Sequence, residues 1–132
     1  MTAVAITGEA PFGADLSEVG RARSFLRTGL GDRGVDDEVL YTTVLLASEL
    51  VTNGVLHART DLVVRYLLHP DCVRVEVLDG NSRLPGPVAA PLDATSGRGL
   101  ALVESLADNW GIERTPAGKT IWFEIPLLPI AA

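Results

Sequence analysis

Aromatic residues, cysteines and positive charges are all scarce in this sequence. Aromatic residues make up 5% of the chain, so its core must be built mainly from leucine, valine, alanine and isoleucine. The only cysteine, Cys72, excludes an intramolecular disulfide framework and is compatible with a reducing compartment. The formal net charge of −6 disfavours direct nucleic-acid binding, because neutralising phosphates requires a clustered basic surface.

Long hydrophobic runs are also missing. No window reaches about 18 uninterrupted apolar residues, and the N-terminal residues lack the basic and apolar regions of a signal peptide, so no membrane association is predicted. What the sequence does have is 132 residues with 47% apolar and 21% charged side chains, a balance typical of a compact fold. We expect one domain over residues 1–132, in the cytoplasm.

A polar stripe on an apolar helix is the most informative feature. In the segment 45–58, Glu49, Asn53 and His57 stand four residues apart and therefore share one helix face, while leucines and valines fill the others. Such a helix is predicted to be buried. Burying an unpaired amide costs roughly 2–7 kcal/mol, so the stripe must be satisfied either by neighbouring backbone or by a ligand.

The hydrophobic patterns around this helix predict an α+β fold with two layers. Asp15 and Glu18 resemble a capping box, and the pattern of alternating valines after Cys72 predicts a strand with one inward face. Elements of this kind pack as a mostly antiparallel mixed sheet with three helices on one face. The expected elements are a strand at 2–7 ending at Gly8, helices at 15–29 and 36–58, strands at 62–68 and 72–78, a helix from Gly97, and strands at 110–114 and 119–125.

Asp79, at the end of the second central strand, has two interpretations. Asp79-Gly80-Asn81 is ordinary turn chemistry. Alternatively, a carboxylate at this position can accept a hydrogen bond from the exocyclic amine of adenine. Similarly, Gly118-Lys119-Thr120 is either a plain hairpin turn or a place where the Thr120 hydroxyl points inward beside Asp79 and shares the bonding to the base.

The proline-rich segment at about 82–96 is predicted to be a lid. Gly97-Arg98-Gly99-Leu100 then opens a helix, where free backbone N–H groups and the helix dipole favour a phosphate. Arg98 either adds a charge-assisted hydrogen bond to that phosphate or faces solvent.

The polar stripe suits the same ligand. The amide oxygen of Asn53 is a suitable Mg²⁺ ligand beside nucleotide phosphates, and Glu49 can polarise a hydroxyl or a metal-bound water. His57 is better explained as a contact at the helix end.

Four segments together resemble a known family. ELVTNGVLHA, VEVLDGN, SGRGLALVESLADNWG and GKTIWFEI are similar, in order and spacing, to the N, G1, G2 and final Gly-Thr boxes of the GHKL ATPase superfamily. More narrowly, the chain resembles bacterial anti-sigma-factor serine/threonine kinases of the RsbW and SpoIIAB type. The resemblance implies the Bergerat ATP-binding fold, Asn53 on Mg²⁺ and Glu49 as the general base. The ATP-binding residues expected are Asn53, Asp79, Asn81, Gly97, Arg98, Gly99, Leu100 and Thr120.

The function implied by the resemblance is that of an ATP-binding anti-sigma factor that phosphorylates an anti-anti-sigma protein and binds a sigma factor, with a homodimer as a further expectation. One alternative is a non-catalytic, ATP-dependent binding module. A sensor histidine kinase domain is disfavoured, because no helical dimerisation segment with a phosphoacceptor histidine is expected before it.

Two departures from the family pattern concern phosphoryl transfer: Asn81 stands where the family has glycine, and Thr95 stands where some members have a basic residue. The exposed Arg23 and Arg27 are expected to form part of a partner or dimer surface.

Overall fold

The computed structural model describes residues 6–81 and 94–127, with only the backbone course for 94–99. Its elements follow the expected order of one strand, two helices, a hairpin, a helix and a second hairpin. They are β1 (Ile6–Phe12), α1 (Glu18–Gly31), α2 (Asp37–Asn53) continued by a π-helical turn (Gly54–Ala58), β2 (Leu62–Leu68), β3 (Cys72–Asp79), α3 (Ala94–Leu106), β4 (Asn109–Thr115) and β5 (Gly118–Pro126).

The five strands form one sheet in the order β1-β2-β3-β5-β4, and every described neighbouring pair is antiparallel. Along β3 and β5, alternate residues such as Val75 and Phe123 are fully buried, whereas the residues between them are partly exposed. Helix α2 contacts both α1 and α3, and the three helices cover the buried face of the sheet. The two-layer α+β fold predicted from the sequence is therefore confirmed.

Helix α2 is the centre of the core. Asp36 caps it by accepting a hydrogen bond from the Glu38 backbone N–H at 2.9 Å, and Leu46 and Leu50 are almost completely buried. The stretch Asp37–Ala58 is long and apolar enough to cross a membrane by composition alone. Because it packs against α1, α3 and the sheet, it is a buried core helix.

The first strand differs from the prediction. It does not end at Gly8 but continues to Phe12 and pairs along its whole length with β2. The reason is Tyr66, whose ring lies where a side chain at residue 8 would be: a Cβ there would be 2.3 Å from the ring carbon Cζ. Gly8 therefore admits an aromatic ring inside the strand instead of ending it, and Pro11 is tolerated because β1 is an edge strand.

The start of α1 also differs. Asp15 and Glu18 form no capping box with each other. Asp15 Oδ1 accepts a hydrogen bond from the Ser17 N–H at 2.8 Å, and Glu18 Oε1 accepts one from the Gly13 N–H at 2.9 Å. The Gly13 bond, followed by the Arg21 guanidinium, lowers the pKa of Glu18. Glu18 thus ties the loop to the helix.

Candidate nucleotide-binding site

The last turn of α2 lies against the sheet at the end of β3. A Cβ added to Gly54 would be 3.0 Å from Cδ2 of Leu62, and Leu62 is the cross-strand partner of Asp79. Asn53 directly precedes Gly54. The structure therefore brings the predicted metal ligand and the predicted base acceptor to the same end of the sheet.

A second contact fixes this arrangement. Thr60 follows the π-helical turn, and its Oγ1 accepts a hydrogen bond from the backbone N–H of Gly80 at 2.8 Å. Arg59, which lies between the π-helical turn and Thr60, ends the turn in the left-handed conformation, with φ at 57°. The sequence interpretation missed Thr60, because a threonine after a helix end carries no nucleotide-site signal of its own.

The polar stripe is less buried than predicted. Glu49 and Asn53 are half-buried and His57 is exposed, because core contacts fall on Leu46 and Leu50 and leave the stripe at the edge of the helix layer. The π-helical turn also widens the helix after Asn53, so His57 no longer continues the α-helical spacing. The helix is buried as expected, but its polar stripe lies at the edge of the helix layer, so Glu49 and Asn53 remain within reach of a ligand.

An ion pair that the sequence interpretation missed lies at the end of β3. Lys119 Nζ is 3.0 Å from Asp79 Oδ2, and the two side chains are only 7% and 5% exposed. The same ammonium donates to the Asn81 carbonyl oxygen at 3.1 Å, while the Asn81 N–H donates to Asp79 Oδ1 at 2.7 Å. Asp79, Asn81 and Lys119 thus form one hydrogen-bonded cluster, which we call the strand-end cluster.

Gly118 allows β5 to approach β3 at this cluster. Its φ is 155°, and a Cβ there would be 1.9 Å from the Asp79 carbonyl oxygen. No other residue type fits such a distance without moving a backbone. The glycine of the last box therefore determines how close Lys119 comes to Asp79.

The predicted orientation of Thr120 is wrong. Ile121 and Phe123 face the helices, and strand residues alternate between faces, so Lys119 points inward and Thr120 points outward. Thr120 pairs across the strands with Leu78 and Glu113, not with Asp79. The signal for this was present, since the period-two pattern of GKTIWFEI places residue 119 in the inward set.

The predicted phosphate segment lies near the start of α3. That helix begins at Ala94, three residues before the predicted start at Gly97. Free N–H groups belong to the first turn of a helix, so Gly99 lies beyond them. The Arg98 side chain and residues 82–93 of the predicted lid lie outside the described residues, whereas Leu100 is half-buried.

Metal binding by protein side chains alone is not supported in the part of the chain that the structure describes. No group of three or more His, Cys, Asp or Glu side chains within 6–81 and 100–127 could hold an ion. A single amide oxygen at Asn53 fits the other arrangement, in which Mg²⁺ keeps its waters and the nucleotide phosphates as its remaining ligands.

Solved structures with this architecture come from two other proteins. The RsbU and RsbW domains of Rv1364c from Mycobacterium tuberculosis match with a TM-score of 0.72 and 23% identity over 92% of this chain and 32% of that one. The histidine kinase domain of the Erythrobacter litoralis EL346 blue-light activated histidine kinase matches with a TM-score of 0.55 and 23% identity, over 85% of this chain and 60% of that one. The chain thus spans about a third of the length of the first neighbour and about three fifths of the length of the second.

The family is established by sequence over most of the chain. No curated protein matches it significantly. Residues 12–125, however, match the model of the histidine kinase-like ATPase domain, and this range includes Glu49, Asn53, Asp79 and Lys119. The expected resemblance to GHKL ATPases is therefore confirmed, and with it the use of ATP. The chain therefore belongs to the histidine kinase-like ATPase domain family.

Proposed function

We propose that this domain binds MgATP at the end of the sheet and transfers the γ-phosphoryl group to a serine or threonine of an anti-anti-sigma protein. The observation that carries the proposal is the meeting of the Asn53 turn with the Asp79 strand end in a chain of an ATPase family. Binding a sigma factor would be its alternative output. The likeness to an RsbW domain supports these partners, and the lone cysteine supports a cytoplasmic location.

Each part of the nucleotide has a proposed contact. Asn53 would hold Mg²⁺, which offsets the phosphate charge, while Asp79 and Asn81 would bind the base. The backbone near the start of α3 would contact the phosphates. Of the residues expected there, Gly97 would donate its backbone N–H and Arg98 its guanidinium, whereas Gly99 and Leu100 lie beyond the free N–H groups of the helix.

Glu49 is the proposed general base. Glu49 lies one helical turn before Asn53 and is half-buried. Its carboxylate could therefore reach a hydroxyl that approaches the proposed Mg²⁺ position beside Asn53. Phosphoryl transfer depends mostly on positioning and on charge stabilisation, so one well-placed carboxylate is sufficient protein chemistry.

Nucleotide binding is tested by calorimetric titration with MgATP. We expect Asn53→Ala to weaken binding roughly tenfold or more, because one metal-bound oxygen is lost. Asn109→Ala is the matched control, since that exposed asparagine lies at the opposite end of the sheet. A wild-type domain that does not bind MgATP would refute the proposal.

Transfer is tested with labelled ATP and candidate anti-anti-sigma proteins. We expect Glu49→Ala to reduce labelling of the partner by about 10²–10⁴-fold, the usual contribution of a general base. Glu38→Ala is the control, because Glu38 is an exposed carboxylate in the first turn of the same helix.

A second candidate function is a non-catalytic module in which ATP regulates binding to a partner. It is favoured by Thr95, because the family resemblance implies a basic residue at this position in some members. Tight ATP binding with no labelled partner would support this candidate and refute the kinase.

The partner surface is proposed to include the outward side of α1. Arg23 and Arg27 are both exposed there, on a chain whose net charge is −6. Reversing both charges (Arg23→Glu, Arg27→Glu) should weaken partner binding or dimer formation while leaving the free energy of unfolding within about 0.5 kcal/mol. Arg33→Glu, at an exposed arginine just after α1, is the control, and unchanged partner affinity in the double variant would remove the idea.

A further inference from the structure

We propose that Lys119 recognises the base together with Asp79. In this arrangement the Lys119 ammonium donates a hydrogen bond to the N1 atom of adenine, while Asp79 accepts one from the exocyclic amine. The inference rests on the proposed ATP site and adds to it the residue that selects the base.

The first argument is the unused donor of Lys119. An ammonium has three N–H donors. Within the described residues, one N–H is directed to Asp79 Oδ2 and one to the Asn81 carbonyl oxygen. The third remains available to an acceptor that enters the site.

The second argument is the remaining capacity of Asp79. An ionised carboxylate offers about four acceptor positions. Within the described residues, Asp79 receives the Asn81 N–H on one oxygen and Lys119 on the other. The strand-end cluster therefore presents a donor and an acceptor side by side, 3.0 Å apart.

Adenine carries the complementary pair on one edge. Its amine is a donor and the adjacent ring nitrogen N1 is an acceptor, so both can be bonded at the same time. Guanine has an acceptor oxygen where adenine has the amine, and that oxygen would face the Asp79 carboxylate. A carboxylate alone reads only the amine, whereas the cluster reads two neighbouring atoms and should prefer ATP to GTP.

The burial of the cluster makes this reading effective. Lys119 lies on the helix-facing side of β5, at the same end of the sheet as Asn53, and its side chain is 7% exposed. Hydrogen bonds from a charged donor are stronger where water is excluded. An ion pair with a purely structural role would also be buried, but the affinity for ATP would then not depend on the N1 atom of adenine.

Base analogues on the wild-type domain provide the test. Calorimetry would compare ATP with 1-deaza-ATP, in which N1 is replaced by CH, and with 3-deaza-ATP as the matched ring control. We expect about tenfold weaker binding of 1-deaza-ATP and little change for 3-deaza-ATP. Equal affinities for ATP and 1-deaza-ATP would overturn the inference, whereas no binding of ATP at all would instead refute the proposed function.

A variant then assigns the effect to Lys119. In Lys119→Met, ATP and 1-deaza-ATP should bind with equal affinity, because the side chain no longer has a donor for N1. If the tenfold difference persists, another group donates to N1 and the assignment is wrong. Circular dichroism verifies that the variant is folded, and the wild-type analogue series tests the contact with N1 independently of the variant.

Discussion

The two faces of the β3–β5 strand pair use ion pairs in different ways. On the inner face, Asp79 and Lys119 form one buried pair at the strand ends. On the outer face, arginines and glutamates form a continuous network. When one residue loses its charge, a neighbour that has two partners keeps the other ion pair. That network comprises Glu9, Arg65, Glu76, Arg74 and Glu124, and the Arg74 guanidinium also lies 4.0 Å from the Trp122 ring centroid.

The two faces differ in whether a lost ion-pair contact can be replaced by another. The network is partly exposed, so solvent and a second partner can replace a lost contact. The inner pair has no such replacement among the charged side chains of the described residues, since the only ion-pair partner of Lys119 there is Asp79. Redundancy on the outer face follows from partial exposure and shared partners, and dependence on the inner face follows from burial and a single ion-pair partner.

The largest effect is expected on the inner face. Lys119→Met leaves the Asp79 carboxylate buried without its counter-charge and should reduce the free energy of unfolding by about 3–5 kcal/mol. The double variant Asp79→Leu, Lys119→Met removes both charges and should recover most of that loss. Urea denaturation measures both values, and a single variant within about 1 kcal/mol of the wild type would break the comparison.

The next effect concerns the approach of the two strands. Gly118→Ala places a Cβ against the Asp79 carbonyl oxygen and should cost at least about 2 kcal/mol, because a backbone must move. Gly20→Ala is the matched control: it lies inside α1 with nothing within 4 Å of the added Cβ, so it should stabilise the fold by roughly 0.5–1 kcal/mol. Thermal or urea unfolding of both variants measures the difference, and equal effects would contradict it.

A smaller effect is expected on the outer face. Arg74→Met removes the hydrogen bonds to Glu76 and Glu124 and the contact with the Trp122 ring. Glu76 keeps its bond from Arg65, so the free energy of unfolding should fall by only about 1–2 kcal/mol. A loss as large as that of Lys119→Met would show that the network is not redundant.

The smallest effect is a pH dependence. Burial raises the pKa of Glu76, but hydrogen bonds from Arg74 and Arg65 outweigh it and hold that pKa below the ordinary 4.5. Since the folded-state pKa is the lower one, this contribution to stability is present above pH 4.5 and is lost as the pH falls through the folded-state pKa. Glu76→Gln should therefore reduce the acid sensitivity of unfolding by less than about 1 kcal/mol, measured by urea titrations at pH 3 to 7.

The regular parts of the fold were predictable from the sequence. The strand predicted at 62–68 matches β2, and the alternating valines after Cys72 predicted β3 to within one residue, because one face of each strand is buried against the helices. The end of β1 was not predictable, because Gly8 is explained only by Tyr66, which is distant in sequence.

For the site, the sequence indicated the right segments but not every side chain. Asp79 and Asn53 come to one end of the sheet as expected, and their roles toward ATP remain predictions. Thr120 was chosen from its place in a motif, although the strand period of two favours Lys119. The contact between Thr60 and Gly80 depends on how the chain leaves α2, which no local pattern encodes.

The π-helical turn after Asn53 affects how readily this end of α2 unfolds locally. Its Arg59 N–H bonds to the Gly54 carbonyl oxygen five residues earlier, a wider and rarer turn than that of an α-helix. We expect this turn to open before the rest of the helix, and Thr60, attached directly behind it, would then release the Gly80 N–H. Faster amide hydrogen exchange at residues 55–59 and 80 than in the middle of α2, slowed when MgATP is present, would be the signature of that coupled opening.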